Sequence, residues 1–529
     1  MTMNKKAGGN NGLTVLHGKA WLLAAVCSVT VLAGAAGAPI VGINEDNENF
    51  FVTRPEEEMT EACAEAYIDS LAGGKITHVF MCPSGQRTSY DSKAWEPIWT
   101  LVNEPGGEIP PGVKVKSLPQ TKRWAKNAKL LHDRGVDLYK VWIRRCRQRG
   151  LSPWLSPRMN DIHHVDWEWP QRNTTFWRTR TDLHCATNAI GRGPFCYAHQ
   201  EVQDYVFSLM KELIDRYDMD GLELDFMRQA RCFQEIDAIG QSHHLDRFIK
   251  RVRDYLVAKG RERGRNIQLG VRVPTTPRSA LANGYDVGKW AREGWVDLVC
   301  ASTGWRTPDY NMPVDEWRKC FGEAAGRVKL LAGTDHGVTA YNWNRTDMTA
   351  ELYAGFADVE WGNGVDGLYL FNAIYLRKAF QEVKEKGLFP DDILKYRQRR
   401  YPVSFRDHTG GGVVPEDRQI PRLSDRPNSF SIRLGRNPVG VPSVLVGVLQ
   451  EGEFNPEVTL NGVKPTRSQA EDTFFRNFDH PERSKTYYCR RYFFPKGSAH
   501  PGADNKVDFK PTKEKKSIVW VEIALEGEK

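Results

Sequence analysis

No Cys-x-x-Cys pair occurs in this 529-residue chain, which argues against a zinc framework. No glycine-rich phosphate loop follows the first apolar run, which argues against a nucleotide-binding sheet. Nor is there a long block of one charge. The net charge is only +8. The two short basic runs, "KYRQRR" (395–400) and "KPTKEKK" (510–516), lack the interleaved aromatics of a nucleic-acid platform. They read as solvated linker and loop. No nucleic-acid partner, no metal and no other cofactor is expected. The apolar run at 20–37 is short for a membrane span, so an uncleaved signal anchor is the one membrane association left open.

That run is nevertheless informative. Lys5, Lys6 and Lys19 precede or open it, and Ala33, Ala35, Ala36 and Ala38 offer the small residues of a cleavage site. Together they are the signature of an export signal over residues 1–38, and the protein is expected to be exported. Its removal takes away three lysines and no acid, leaving +5. Of the 10 cysteines, Cys27 lies in the signal, and an odd number then remains that cannot all pair within one chain. Export would permit disulfides, and Cys185 with Cys196 is the first pair to consider.

From about residue 75 to 376 one unit repeats: a short apolar run ending in polar residues, then a longer amphipathic stretch. The runs are "KITHVFMC" (75–82), "LSPWLS" (151–156), "MDGLELDF" (219–226), "IQLGVRV" (267–273), "VDLVCAS" (296–302), "VKLLAG" (328–333) and "DGLYLFN" (366–372). Segments such as 199–217 and 244–264 carry apolar residues at helical spacing. Strands alternating with helices predict right-handed crossovers and a parallel sheet. Seven strands are readable. An eighth is expected between 82 and 151, with "GVKVKSL" (112–118) and "GVDLYKV" (135–141) as candidates. The fold class is therefore α/β, a (β/α)₈ TIM barrel over 39–390, with an open doubly wound sheet as the alternative. After a linker at 391–401, residues 402–529 hold short alternating strands between Gly, Pro and Asn turns. "SFSIRLG", "SVLVGVLQ", "EVTLNGV", "TYYCRRYFF" and "SIVWVEIAL" predict a smaller all-β, sandwich-like accessory domain.

Chemistry on such a barrel sits at the C-terminal ends of the strands. There the sequence is polar throughout. Gln86, Arg87 and Tyr90 follow the first run, and "PRMNDIHH" brings Arg158, Asn160, Asp161, His163 and His164 after the second. Arg228, Arg272, Ser302 with Trp305, Asp335 with His336, and Asn372 end the others. The stretch "YDMDGLELDFMRQ" (217–229) is the most pointed, because it places acids where a buried strand should be apolar. Alternation puts Glu223 and Asp225 on one face, towards the barrel interior, with Leu222 and Leu224 facing the helices. Asp225 lies nearer the mouth. The α-carbons of the two acids lie about 7 Å apart, a range at which like charges raise one pKa, and an adjacent arginine keeps another ionised, the split an acid–base hydrolase needs. The competing role for both acids is a structural ion pair. Asp220, before Gly221 at the strand start, reads as a turn residue.

At this motif the chain resembles the glycosyl-hydrolase-like family 10 barrels, through "YAHQEVQDYVFSLMKELIDRYDMDGLELDFMR" (197–228) and "GVDGLYLFN" (364–372). The resemblance covers roughly residues 75–380 and implies a carbohydrate substrate with a catalytic aspartate at Asp225. The same strand is similar to the "DGxDxDxE" motif of family 18 chitinases, but Met227 stands where those enzymes carry their acid. A chitinase mechanism is not expected.

The expected function is an exported glycoside hydrolase acting on a polysaccharide or oligosaccharide. Asp225 serves as nucleophile or base, and Asp335, Asp161 or Glu223 is its partner, Asp335 placed first. Arg87, Arg158, Asn160, His163, Arg228, Arg272, Trp305, His336 and Asn372 are the expected sugar-binding residues. Trp167, Trp169, Phe176 and Trp177 in the 158–198 insertion are expected to wall the cleft. The several arginines suggest a substrate bearing carboxylate or sulfate. Two other readings remain: a non-catalytic glycan-binding surface protein on a degenerate barrel, and a lyase or deacetylase on the same fold.

Overall fold

The computed structural model describes residues 38–527 apart from 47, 101–117, 164–171, 186, 188–190, 236, 305–306, 342–343, 404–418, 438–439, 450–451, 472–474 and 478–487. Residues 1–37 of the expected export signal, residues 112–117 of the candidate strand "GVKVKSL", His164, Trp167, Trp169 and Trp305 thus lie outside the described residues.

Eight parallel strands close a barrel. They are β1 (Ile40–Glu45), β2 (His78–Met81), β3 (Ser152–Leu155), β4 (Gly221–Asp225), β5 (Gln268–Pro274), β6 (Leu298–Ser302), β7 (Lys329–Thr334) and, after a hairpin of β8 (Gly337–Tyr341) and β9 (Asn344–Asp347), β10 (Gly367–Leu370). Their order around the barrel is β1-β10-β7-β6-β5-β4-β3-β2. All seven strands expected from the sequence are present. The eighth is not where it was expected: it is β1, and residues 138–141 of "GVDLYKV" belong instead to the helix Leu138–Gln148. The helical period of Leu138, Tyr139, Val141, Trp142, Ile143 and Cys146, all buried, outweighs the strand-like opening of that segment.

Two apolar layers follow from strand alternation. Phe80, Trp154, Leu298, Cys300, Leu331 and Tyr369 fill the barrel interior. Leu222, Leu224, Val271 and Val299 point outward into the strand–helix core. Gly221 is required by the interior packing, since a Cβ there would stand 2.5 Å from the Trp154 ring.

The C-terminal region is all-β. Strands β11 (Gln398–Pro402), β12 (Arg422–Leu423), β14 (Val441–Val448), β16 (Arg467–Glu471), β18 (Tyr488–Phe493) and β20 (Ser517–Glu526) form one sheet, and β13 (Asn428–Arg433), β15 (Val458–Leu460) and β19 (Asp504–Phe509) another. The two share a core that includes Phe430, Val444, Leu460, Val507 and Ile523. The all-β region expected after the barrel is thus present, and residues 39–529 make one compact unit.

The expected linker at 391–401 is in part strand β11. Its arginines are neutralised rather than solvated: Arg399 Nη1 lies 2.7 Å from Asp358, and Arg400 Nη2 lies 2.7 Å from Glu522. The helix Ala350–Asn363, which carries Asp358, is buried on nearly every side because β11 covers the face turned away from the barrel. The short strand β17 (Arg476–Asn477) pairs with β9, so the β-rich region also extends the hairpin beside the barrel mouth. The described cysteines are free, Cys185 and Cys196 among them, and the Cys185 thiol donates to Pro194 O at 3.5 Å and Phe195 O at 3.6 Å.

Candidate active site

At the end of β4 the expected alternation is realised. Glu223 is fully buried; its Oε1 accepts from Ser156 Oγ at 2.7 Å and Tyr369 Oη at 2.8 Å. Burial, with Asp225 nearby, raises its pKa from 4.5 to about 7. Asp225 stands in register with Arg272 on β5, and Arg272 Nη1 lies 3.3 Å from both carboxylate oxygens. Oδ1 also accepts from the Met227 amide at 2.8 Å. Arg272 donates onward to Ser302 Oγ at 3.0 Å and lies 3.9 Å over the Phe371 ring. Burial alone would lower the Arg272 pKa, but Asp225, Tyr369, Cys300 and Glu223 together outweigh it and the pKa rises.

The segment after β3 continues alongside β4, where the Met159 amide donates to Asp225 O at 3.0 Å. This sets Arg158 between two carboxylates: Asp161 Oδ2 at 2.5 Å and Asp46, the residue after β1. Asp161 in turn holds His163, with Oδ1 2.6 Å from Nδ1, and Arg228 Nη2 lies 2.9 Å from His163 Nε2. A guanidinium only donates, so Nε2 accepts, Nδ1 carries the proton to Asp161, and the imidazole is neutral. Burial depresses the His163 pKa further than the Asp161 carboxylate raises it. Burial would raise the Asp161 carboxyl, but its His163 and Arg158 contacts outweigh that and hold it well below the usual range.

The same arrangement recurs after β7. Asp335 accepts from the His336 amide at 2.5 Å and from His336 Nδ1, and Arg345 on β9 lies 2.9 Å from His336 Nε2. Past β10, Asn372 adopts the left-handed region at φ +54, and its Oδ1 is buried without a hydrogen-bond partner.

These groups surround a cavity of about 190 Å³. Asp46 and Asp335 supply its carboxylates, Arg228 and Arg272 its guanidiniums, and His163 and His336 its imidazoles; Met227, Phe371, Asn372 and Tyr375 complete it. A cavity of about 630 Å³ on the sandwich is larger, but it contains no histidine and is remote from the strand ends.

The cavity gathers His163, Arg228, Arg272, Asp335, His336 and Asn372 from among the residues singled out in the sequence. Four others support it from behind. Asp225 lies beside Arg272 and Met227 without lining the cavity, Glu223 sits deeper, and Asp161 and Arg158 orient His163 and Asp46. Two have purely structural partners. Arg87 is committed to Asn173 O, Pro97 O and, at 2.6 Å, Glu96. Asn160 closes the Phe195 and Arg231 backbone. Trp177 is fully buried with its indole on Gly193 O, and Phe176 stacks on Tyr205 at 4.1 Å, so neither walls the cleft.

Sequence reasoning missed Asp46, Phe371, Tyr375 and the Arg345 partner of His336. Asp46 was findable: "IVGINED" ends in acids like the other strand ends, but β1 went unread.

No family model matches the chain, and no curated protein matches it by sequence. Similar solved structures include a cycloisomaltooligosaccharide glucanotransferase from Paenibacillus sp., 9% identical over 91% of this chain, with a TM-score of 0.35. This chain spans 57% of that protein's length. A maltogenic α-amylase from Thermotoga neapolitana is 10% identical, with 89% and 99% of the two chains covered and a TM-score of 0.36. The PgaB (BpsB) glycoside hydrolase domain from Bordetella bronchiseptica is 10% identical, with 66% and 98% covered and a TM-score of 0.40.

Proposed function

We propose that the chain is an exported glycoside hydrolase that cleaves a polysaccharide or oligosaccharide by carboxylate catalysis. One observation carries this reading: two carboxylates, Asp46 and Asp335, face a common cavity at the C-terminal mouth of the barrel. β1 and β7 are separated by β10 alone, so their backbones run about 10 Å apart. From that distance converging side chains can reach the roughly 5–9.5 Å separation that glycosidase pairs require. Asp335 and Asp46 then share the acid and the base or nucleophile roles. His336 holds Asp335 in place, and Arg158 holds Asp46. Asp225 acts one layer back by fixing Arg272 in the cavity wall. Arg228 and Arg272 favour a substrate carrying carboxylate or sulfate, and equal turnover of neutral and anionic glycans would remove that refinement. Export rests on residues 1–38.

Release of reducing ends from a glycan panel tests the proposal. Asp335→Asn is expected to lose about 10²–10⁴-fold in turnover while staying folded. A near wild-type rate overturns the assignment.

One observation favours a non-catalytic glycan-binding role instead. Asp46, Asp161, Asp225 and Asp335 each have a basic side chain against them. Saturable glycan binding without any product would select that reading.

A further inference from the structure

We propose that a second sugar-binding subsite lies beyond Tyr375, so that the barrel takes an oligosaccharide of two or more rings; this rests on the glycan reading above. The cavity between Asp46 and Asp335 measures about 190 Å³, below the roughly 300–1,000 Å³ of typical small-molecule sites. By itself it holds one small unit. The lining of a second cavity of about 430 Å³ begins one residue further on, since Tyr375 lines the first cavity and Leu376 the second. The two linings are also joined by a hydrogen bond: Met348, which lines the second cavity, donates its amide to O of His336, which lines the first, at 3.0 Å.

Tyr375 is built to be presented. The left-handed turn at Asn372 leads into the 3₁₀ turn Ala373–Tyr375, whose amide closes on Asn372 O at 3.1 Å. Ala373 anchors the turn in the core, yet Tyr375 remains 41% exposed, with its ring 6.1 Å from His336. An aromatic face standing at the rim between two cavities suits the C–H face of a pyranose. The second cavity offers the matching mixture. Met348, Leu376 and Ala379 give it apolar surface, while Glu351, Glu382 and Arg377 can bond hydroxyls. A chain that starts at Asp335 would cross Tyr375 and continue there.

The test compares wild type, Tyr375→Ala and Ala379→Trp, the last filling the second cavity, by calorimetric binding to cello-, chito- and galacturonan-oligosaccharide ladders. Wild type is expected to gain about tenfold in affinity from the monosaccharide to longer chains, as burying roughly 50–60 Å² of ring face would give. Both variants should lose the gain, and Ala379→Trp should keep its monosaccharide affinity. A gain that survives in both variants, or wild-type affinity independent of length, overturns the second subsite and leaves the glycan reading standing. Failure of wild type to bind any ladder overturns the glycan reading and this inference with it.

Discussion

Asp225, at the end of β4, and Asp335, just past β7, look equivalent in the sequence. Each closes an apolar run, and each has a basic residue within three positions. In the fold they are opposites. Asp225 lies in register with Arg272, and the two form a buried pair with side chains only 3% and 2% exposed. Asp335 is held by its neighbour His336, whose other ring nitrogen lies 2.9 Å from Arg345 Nη1. It lines the cavity, and Asp225 does not. What separates the paired carboxylate from the cavity-lining one is its strand neighbour: Asp225 meets Arg272 in register on β5, whereas Asp335 stands past the end of β7 beside His336. The shared surroundings of one acid motif do not decide it.

Substitution should split the two. Asp335→Asn removes a cavity carboxylate, and the loss of about 10²–10⁴-fold in turnover should come with an unchanged urea midpoint. Asp225→Asn does the reverse. It leaves Arg272 buried without its counter-charge, which costs about 3–5 kcal/mol in urea unfolding. Replacing both members, as Asp225→Leu with Arg272→Met, should recover much of that stability and so identify the pair as structural. If Asp225→Asn instead folds normally and abolishes turnover, the comparison collapses and the sequence-based assignment of Asp225 is restored.

The barrel was legible because seven of its strands are short apolar runs at regular spacing. The β-strands of the C-terminal region announced themselves by alternation. β1 was hidden by its position directly after an export-like apolar segment, and with it went Asp46. β11 was hidden by charge, since Arg399 and Arg400 look solvated until Asp358 and Glu522 are seen opposite them. The polar character of the mouth was likewise readable, but the division of labour within it was not. Arg87 and Asn160 have the composition of sugar ligands, and the sequence does not show that backbone carbonyls and Glu96 occupy them in the fold. The Asp–His–Arg arrangement could be half-read from "GTDHGV". Its arginine, nine residues on in a hairpin, depends on the β8–β9 register.

A third test sharpens the contrast between core and mouth through pH. Glu223 takes up a proton more readily when folded, with its pKa raised to about 7, than when unfolded near 4.5. The folded state therefore binds more protons in that window. Stability should be greatest below about pH 4.5 and fall as pH rises through about 7, by on the order of 3 kcal/mol at most. Glu45, raised to about 8 chiefly by burial, adds the same sign over a wider window. Glu223→Gln should flatten the part of the profile between 4.5 and 7 in urea midpoints measured across pH. An unchanged slope would mean that Glu223 is charged in the folded protein.

The smallest effect bears on how Asp335 is held. Arg345→Met removes the donor to His336 Nε2, which fixes the imidazole ring beside Asp335. Turnover should fall by about tenfold with an unchanged urea midpoint, since Asp335 itself remains in place. A lowered urea midpoint with turnover intact would instead assign Arg345 to bracing the hairpin against β17 and remove ring orientation from the account of the site.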